Sequence, residues 1–257
     1  MTEPNEATKK ALANPLERAL EIIRAAEEEG AVLKILGGLA IAKLAPNGSS
    51  HPSLKRVYKD IDFISNKESS KKLKKAFEKV GLRPEERFNA LHGYNRLLYY
   101  DGEKRIDVFL DEFRMCHTWN LKDRLSHYKI TIPPSDLLLT KLQIYEINEK
   151  DIKDTVAFLV DFSAGEKDSE NTFDVNYIAK LLANDWGFYK TVTLNIDRVL
   201  QYLPNLNLEE NLSKKVENEL KTLRQKIEEE PKSLKWKMRA KIGEKVRWYE
   251  LPEEVGN

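Results

Sequence analysis

The sequence predicts an α+β fold: a small mixed β-sheet with flanking helices over residues 1–132, followed by an all-helical domain over residues 133–257. Three observations carry this. Short β-branched and aromatic runs punctuated by glycine and turn residues lie before Pro133-Pro134. Beyond those prolines the pattern is helical nearly to the end. At 257 residues the chain is long enough for one large or two small domains with a sizeable core.

Residues 1–6 read as a polar tail. Leu12, Leu16, Leu20 and Ile23 recur at helical spacing, which predicts an amphipathic helix over Ala7–Glu29 stopped at Gly30. Ala31–Asp62 reads as a buried strand (Val32–Leu36), a Gly37-Gly38 turn, a short apolar helix (Leu39–Leu44), an inserted loop (residues 46–56) and a second strand carrying Asp60 and Asp62. Asn66–Val80 is a basic amphipathic helix with Leu73, Phe77 and Val80 inward, its lysines a solvated face before they are a polyanion site. Tyr94–Tyr100 and Arg105–Leu110 read as a hairpin with Asp101-Gly102 in a four-residue connection. Lys129–Ile132 is a last short strand. Helices then cover Asp136–Ile147, capped by Ser135, and Lys150–Phe162. A polar loop at 163–172 precedes helices over Asp174–Asn184, Trp186–Leu203 and Leu208–Glu230.

With a net charge of +1, no global field draws the protein to a polyanion, so any such site is local. The single Cys116 excludes an internal disulfide and a cysteine-rich zinc site, and fits a reducing compartment. No apolar run approaches about eighteen residues and the N-terminus is polar, so the expectation is a cytoplasmic protein with no membrane partner. His51, His92, His117 and His127 lack metal-ligand spacing and read as structural or surface residues.

The chemistry concentrates in Ala31–Asp62. On a strand, Asp60 and Asp62 are two apart and share a face at about 6.6 Å, a spacing suited to divalent cations. A glycine turn entering a helix offers backbone N–H groups to phosphate. Each feature has a plainer reading, a tight turn and a solvated strand end. In the order strand, Gly-Gly, helix, strand, Asp-x-Asp, they are together the equipment of nucleotidyl transfer. Asp107 lies with Arg105 and Phe109 on one face of its strand, opposite Ile106, Val108 and Leu110, and is a third candidate carboxylate or an exposed strand aspartate. Lys141 sits on the flank of an apolar helix, where it either snorkels to water or reaches an anion. Asp151 and Asp154, one turn apart on the next helix, hold Lys141 or a nucleoside, or simply favour the helix dipole.

GGLAIAKL followed by KDIDFI resembles the signature of the DNA polymerase beta-type nucleotidyltransferase superfamily, with residues 46–56 lengthening the usual gap. The segment PPSDLLLTKLQIYEINEKDIKDTVAFL is similar to the AbiEii branch, associated with abortive infection and toxin–antitoxin systems. The resemblance spans roughly residues 31–160. It implies a nucleotidyltransferase-like fold with the nucleotide in a cleft between the two domains, and transfer of a nucleoside monophosphate from an NTP, ATP among them, with release of pyrophosphate. Mg²⁺ or Mn²⁺ would be held by Asp60, Asp62 and Asp107, with Asp107 also able to take the acceptor's proton. The nucleotide would be held by Gly37, Gly38, Arg56, Lys59, Lys141, Asp151 and Asp154.

The implied acceptor is an RNA end such as tRNA, or a small molecule, and an antitoxin protein is a possible partner. Two alternatives stand: a non-catalytic nucleotide-binding protein of the same fold, and a kinase-like phosphoryl transferase. Lys232–Arg247 carries seven basic residues against one acidic, and with Trp236, Trp248 and Tyr249 nearby it is either an RNA platform or a tail packed onto the body.

Overall fold

The computed structural model describes residues 14–251 as an α+β structure of two compact units. The first comprises the described residues up to Lys43, Val57–Phe113 and Trp119–Ile132; the second comprises Leu44–Arg56, Arg114–Thr118 and the described residues from Pro133 on. The expected polar tail and the start of the expected first helix, Leu12 included, lie outside the described residues.

The first unit is built on five strands: β1 (Lys34–Leu36), β2 (Ile61–Ser65), β3 (Arg83–Pro84), β4 (Arg96–Asp101) and β5 (Lys104–Leu110). Their order is β1-β2-β5-β4-β3, parallel between β2 and β5 and antiparallel elsewhere. Strand alternation sends the buried Ile61, Phe63, Ile106 and Val108 to one face. There Phe77, from helix Ser70–Lys79, meets Tyr99 edge-on at a centroid distance of 4.8 Å. Helix Pro15–Glu28 starts at an Asn14 cap, with proline in its first turn. Its Arg18 forks onto Asp101 at 2.9 and 3.0 Å and donates to the Val80 carbonyl, tying helix to hairpin.

Three local expectations change in this unit. Asp101 pairs with Lys104, so only Gly102 and Glu103 separate β4 and β5, and Gly102 takes the positive φ of 63° that such a tight turn needs. Residues 129–132 form no strand. A single parallel bridge joins Thr131 to Ile35, and the prolines that follow have no N–H to extend a ladder. β2 begins at Ile61, so Asp60 lies just outside the strand, exposed.

In the second unit, the loop expected at 46–56 is confined to 51–56, after a helical start. Pro46–Ser50 is a short helix docked on helix Glu149–Asp161. Asp161 accepts a 2.9 Å hydrogen bond from the Gly48 N–H, and a Cβ at Gly48 would stand 2.0 Å from the Ala157 carbonyl oxygen. Helix Pro134–Leu142 is not capped by Ser135, whose hydroxyl donates to Asp168 at 2.7 Å. It stops at Leu142 rather than Ile147, and side chains from helix Trp186–Tyr202 take the carbonyls at and just past its end: Asn195 donates to those of Leu142 and Ile144, and Arg198 to that of Tyr145. The expected loop at 163–172 contains Ser163–Gly165, paired in parallel with Thr172–Asp174. Helices Val175–Leu182 and Trp186–Tyr202, capped by Asp174 and Asp185, and Glu210–Glu229 complete the main body. Among the described residues no helix is long and apolar enough to cross a membrane.

The contact at Gly48 is backbone against backbone, so neither side yields cheaply. Gly48→Ala is expected to lower unfolding stability in urea by about 3 kcal/mol, the upper end for overpacking. Gly81→Ala, with φ 75° but open space around it, is expected to cost only the left-handed strain, about 1–2 kcal/mol. Equal losses would show that packing against Ala157 contributes nothing special.

Candidate functional site

The Gly-Gly pair is not a turn ahead of the helix but its first two residues: the helix runs Gly37–Leu44. Gly37 has φ 69°, and a Cβ there would stand 2.7 Å from Asp62 Oδ2. Glycine is therefore needed twice, once for the backbone conformation and once to let the Asp62 carboxylate lie against the chain. A carboxylate beside a helix N-terminus is favoured by the dipole.

Parallel pairing sets Asp62 directly beside Asp107, since the two are register partners on β2 and β5. Side chains in register on neighbouring strands share a face. Asp107 is buried, not the exposed strand residue that was the plainer reading. Two arginines compensate it. Arg96 on β4 donates from Nε to Oδ1 at 2.7 Å, and Arg105 on β5 brings Nε within 2.8 Å of Oδ2. That Nε contact is an ion pair without hydrogen-bond alignment, while Arg105 Nη2 donates to Asp107 Oδ1 at 3.3 Å. Arg96 also lies over the Phe109 ring, 5.0 Å from its centroid. Strand alternation alone places Arg105 on the Asp107 face; Arg96 needed the hairpin register and was missed.

Asp62 and Asp107 are oxygen-only ligands in register, which suits Mg²⁺ or Mn²⁺. A cation there would share or displace the guanidinium contacts on Asp107. Among the described residues no group of three or more His, Cys, Asp or Glu side chains is placed to hold a metal ion; Asp62 and Asp107 stand as a pair, with Asp60 preceding Asp62 in the chain. Lys59 is exposed beside Asp60.

The other residues singled out from the sequence gather in the second unit. Asp154 accepts from Arg56 Nε and Nη2, both at 2.6 Å, and pairs with Lys141 Nζ at 2.8 Å. Lys141 also donates to Asp151 at 3.2 Å. Lys141, Asp151 and Asp154 are buried and Arg56 half-buried, two cations against two anions. Lys141 thus neither snorkels nor stands exposed in an open cleft. Burial pushes its ammonium pKa down, but Asp154 and Asp151 outweigh this and raise it overall. Burial likewise pushes the Asp154 pKa up, and Lys141 with Arg56 brings it below the usual carboxylate value.

Of the histidines, His117 is buried, shares a 2.8 Å hydrogen bond with the Thr191 hydroxyl and stacks on Phe188. Burial pushes its pKa down to about 4, so it is a neutral packing residue at pH 7.

The fold and site define a class in outline: a mixed sheet in which a glycine-started helix lies against one of two carboxylates on neighbouring strands. No family model matches the sequence, and no curated protein does. Two solved structures are similar. One is the solution structure of the antibiotic-resistance factor ANT(2'')-Ia, 15% identical over 57% of this chain and 83% of its own, with a TM-score of 0.40. The other is ANT(2'')-Ia in complex with adenylyl-2''-tobramycin, 15% identical over 56% of this chain and 87% of its own, with a TM-score of 0.38. So distant a likeness decides neither substrate nor mechanism for this chain.

Removing the charge of Asp154 leaves Arg56 and Lys141 under-compensated, and Asp154→Asn is expected to cost about 3–5 kcal/mol at pH 7. The folded pKa is depressed, so the ionised Asp154 contributes fully above its unfolded value, about 3.9. That contribution is lost as pH falls through the lower folded value. Urea titrations should therefore show the full gap between wild type and Asp154→Asn at neutral pH, shrinking only below about pH 4. A gap independent of pH would assign the loss to packing.

Proposed function

We propose that the chain is a metal-dependent nucleotidyltransferase that moves a nucleoside monophosphate from an NTP to an acceptor hydroxyl or phosphate. The observation that carries this is the contact of Gly37 with Asp62 beside Asp107: a glycine-started helix and a carboxylate pair occupy one place. The order Gly37-Gly38, Asp60-x-Asp62, Lys141, Asp151-x-x-Asp154 supports the narrower reading, an AbiEii-type toxin whose acceptor is an RNA end or a small hydroxylated molecule.

The Gly37 and Gly38 amides, at a helix N-terminus, would face phosphate oxygens. Mg²⁺ or Mn²⁺, held by Asp62 and Asp107 with Asp60 adjoining, would neutralise phosphate charge and polarise the acceptor oxygen. Arg96 lies on Oδ1 of Asp107 and Arg105 near its Oδ2. Arg96 and Arg105 orient that carboxylate.

A second reading has a specific observation behind it. The pairing of Asp107 with two arginines suits a protein that keeps the fold and binds nucleotide without turnover. Incubation with each labelled NTP, total cellular RNA and a panel of hydroxylated small molecules separates the two. Label entering an acceptor with pyrophosphate released supports transfer; release of nucleoside diphosphate indicates phosphoryl transfer instead. Calorimetric NTP binding without any product supports the non-catalytic reading. Asp62→Asn and Asp107→Asn are each expected to lower turnover by more than about 100-fold, the upper range for disturbing even an outer-shell metal partner. Full turnover in either folded variant would remove the claim.

A further inference from the structure

The basic C-terminal segment folds into helix Leu234–Ile242, capped by Ser233. Its aromatic neighbours are committed inward. Trp236 meets Tyr189 edge-on at 5.1 Å, Tyr249 stacks on Tyr145 at 3.5 Å, and Trp248 donates from Nε1 to Thr191 at 3.1 Å. Arg239 lies 4.7 Å over the Trp186 ring and donates to the Gly243 and Val246 carbonyls.

What this packing leaves outside is apolar. Leu234, Met238 and Ile242, at i, i+4 and i+8, are 72%, 56% and 45% exposed, and Val246 beyond the helix is 57% exposed. At about 100° per residue the three helical positions span roughly 80° of one face. Lys237 and Lys241 flank that stripe on one side and Lys235 on the other, with Lys245 past its end. Among the described residues none of these four lysines makes an ion pair. The one acidic residue of the segment, Glu244, pairs with Lys190 at 2.6 Å.

We propose that this face docks peripherally on an anionic bilayer surface. Charge complementarity requires an anionic partner, and the stripe requires that the partner also accept aliphatic side chains. RNA offers phosphate but takes stacking aromatics, and the aromatic rings here are turned into the body. Protein interfaces are enriched in Arg and aromatic anchors and depleted in Lys, whereas the cations that flank these aliphatic tips on the helix are lysines. Lysine stems can lie along the acyl boundary while their ammonium groups reach the headgroups. The absence of a spanning helix among the described residues is compatible with this, since lying on a membrane needs only one such face. The proposal is independent of the reaction assigned above, and reverses the sequence expectation of no membrane partner.

The test is sedimentation of the full chain with vesicles of phosphatidylcholine alone and of an equimolar mixture with phosphatidylglycerol. Binding to the mixed vesicles only, weakened by salt, is expected. Each of Lys235→Gln, Lys237→Gln and Lys241→Gln should lower the partition coefficient roughly fivefold. The triple variant Leu234→Ser, Met238→Ser, Ile242→Ser should lower it more than about tenfold. These positions are exposed, so circular dichroism and urea unfolding should match the wild type. Equal binding to both vesicle types, or an unchanged triple variant, overturns the proposal. So does the absence of vesicle binding, whether the stripe then governs association with a soluble protein or the lysines govern binding of single-stranded RNA.

Discussion

The parallel pairing of β2 with β5 is the constraint on which the candidate site depends. It is the one parallel contact in the five-stranded sheet, and its register sets Asp62 against Asp107. On its other side β2 pairs with β1 so that Leu36 opposes Asp62, and the next residue, Gly37, turns the chain into a helix. The turn has to happen against a carboxylate, and only a residue with no Cβ and an accessible left-handed backbone can make it. A slip of β2 by one residue in this ladder would send Asp62 into the apolar face, away from Asp107.

Compensation of buried carboxylates by arginine recurs through the chain. Arg18 forks onto Asp101, Arg96 and Arg105 hold Asp107, and Arg56 forks onto Asp154. A guanidinium is always charged and matches a carboxylate with two parallel donors, so it loses less on burial than an ammonium does. The Asp154 group adds Lys141 and Asp151 to reach a net charge of zero in a buried place. Such clusters add little net stability over apolar packing but are costly to unbalance. They position groups. In the second unit this one secures Arg56, at the end of the docked 46–56 segment, to helix Glu149–Asp161.

The two arginines on Asp107 bear most directly on chemistry. They orient that carboxylate from two neighbouring positions, Arg96 on β4 and Arg105 on β5. The basic tail shows the same division between holding and presenting. Arg239 is spent on backbone carbonyls and a tryptophan face, while the lysines around Leu234, Met238 and Ile242 remain at the surface.

From the sequence alone came the α+β class, the order of the main helices, and the residues that the site draws on. Periodicities of two and of about 3.6, with glycine and proline punctuation, are local properties of the chain. Gly37, Asp62, Asp107, Lys141 and Asp154 were legible for that reason, as was the shared face of Arg105 and Asp107. The tertiary structure decided partners. Arg96 meets Asp107 only through the hairpin register, and Arg56 meets Asp154 across 98 residues of chain. Residues 46–56 looked like a loop because a five-residue helix has too few turns to show a period, and its order comes from contact with Ala157 and Asp161. The helix predicted to reach Ile147 ends at Leu142, where Asn195 takes the Leu142 carbonyl and Arg198 that of Tyr145 beyond it. Which lysines and aliphatic residues of the tail face outward was likewise beyond the sequence, since short-range spacing fixes which residues share a face but not which face the rest of the chain covers.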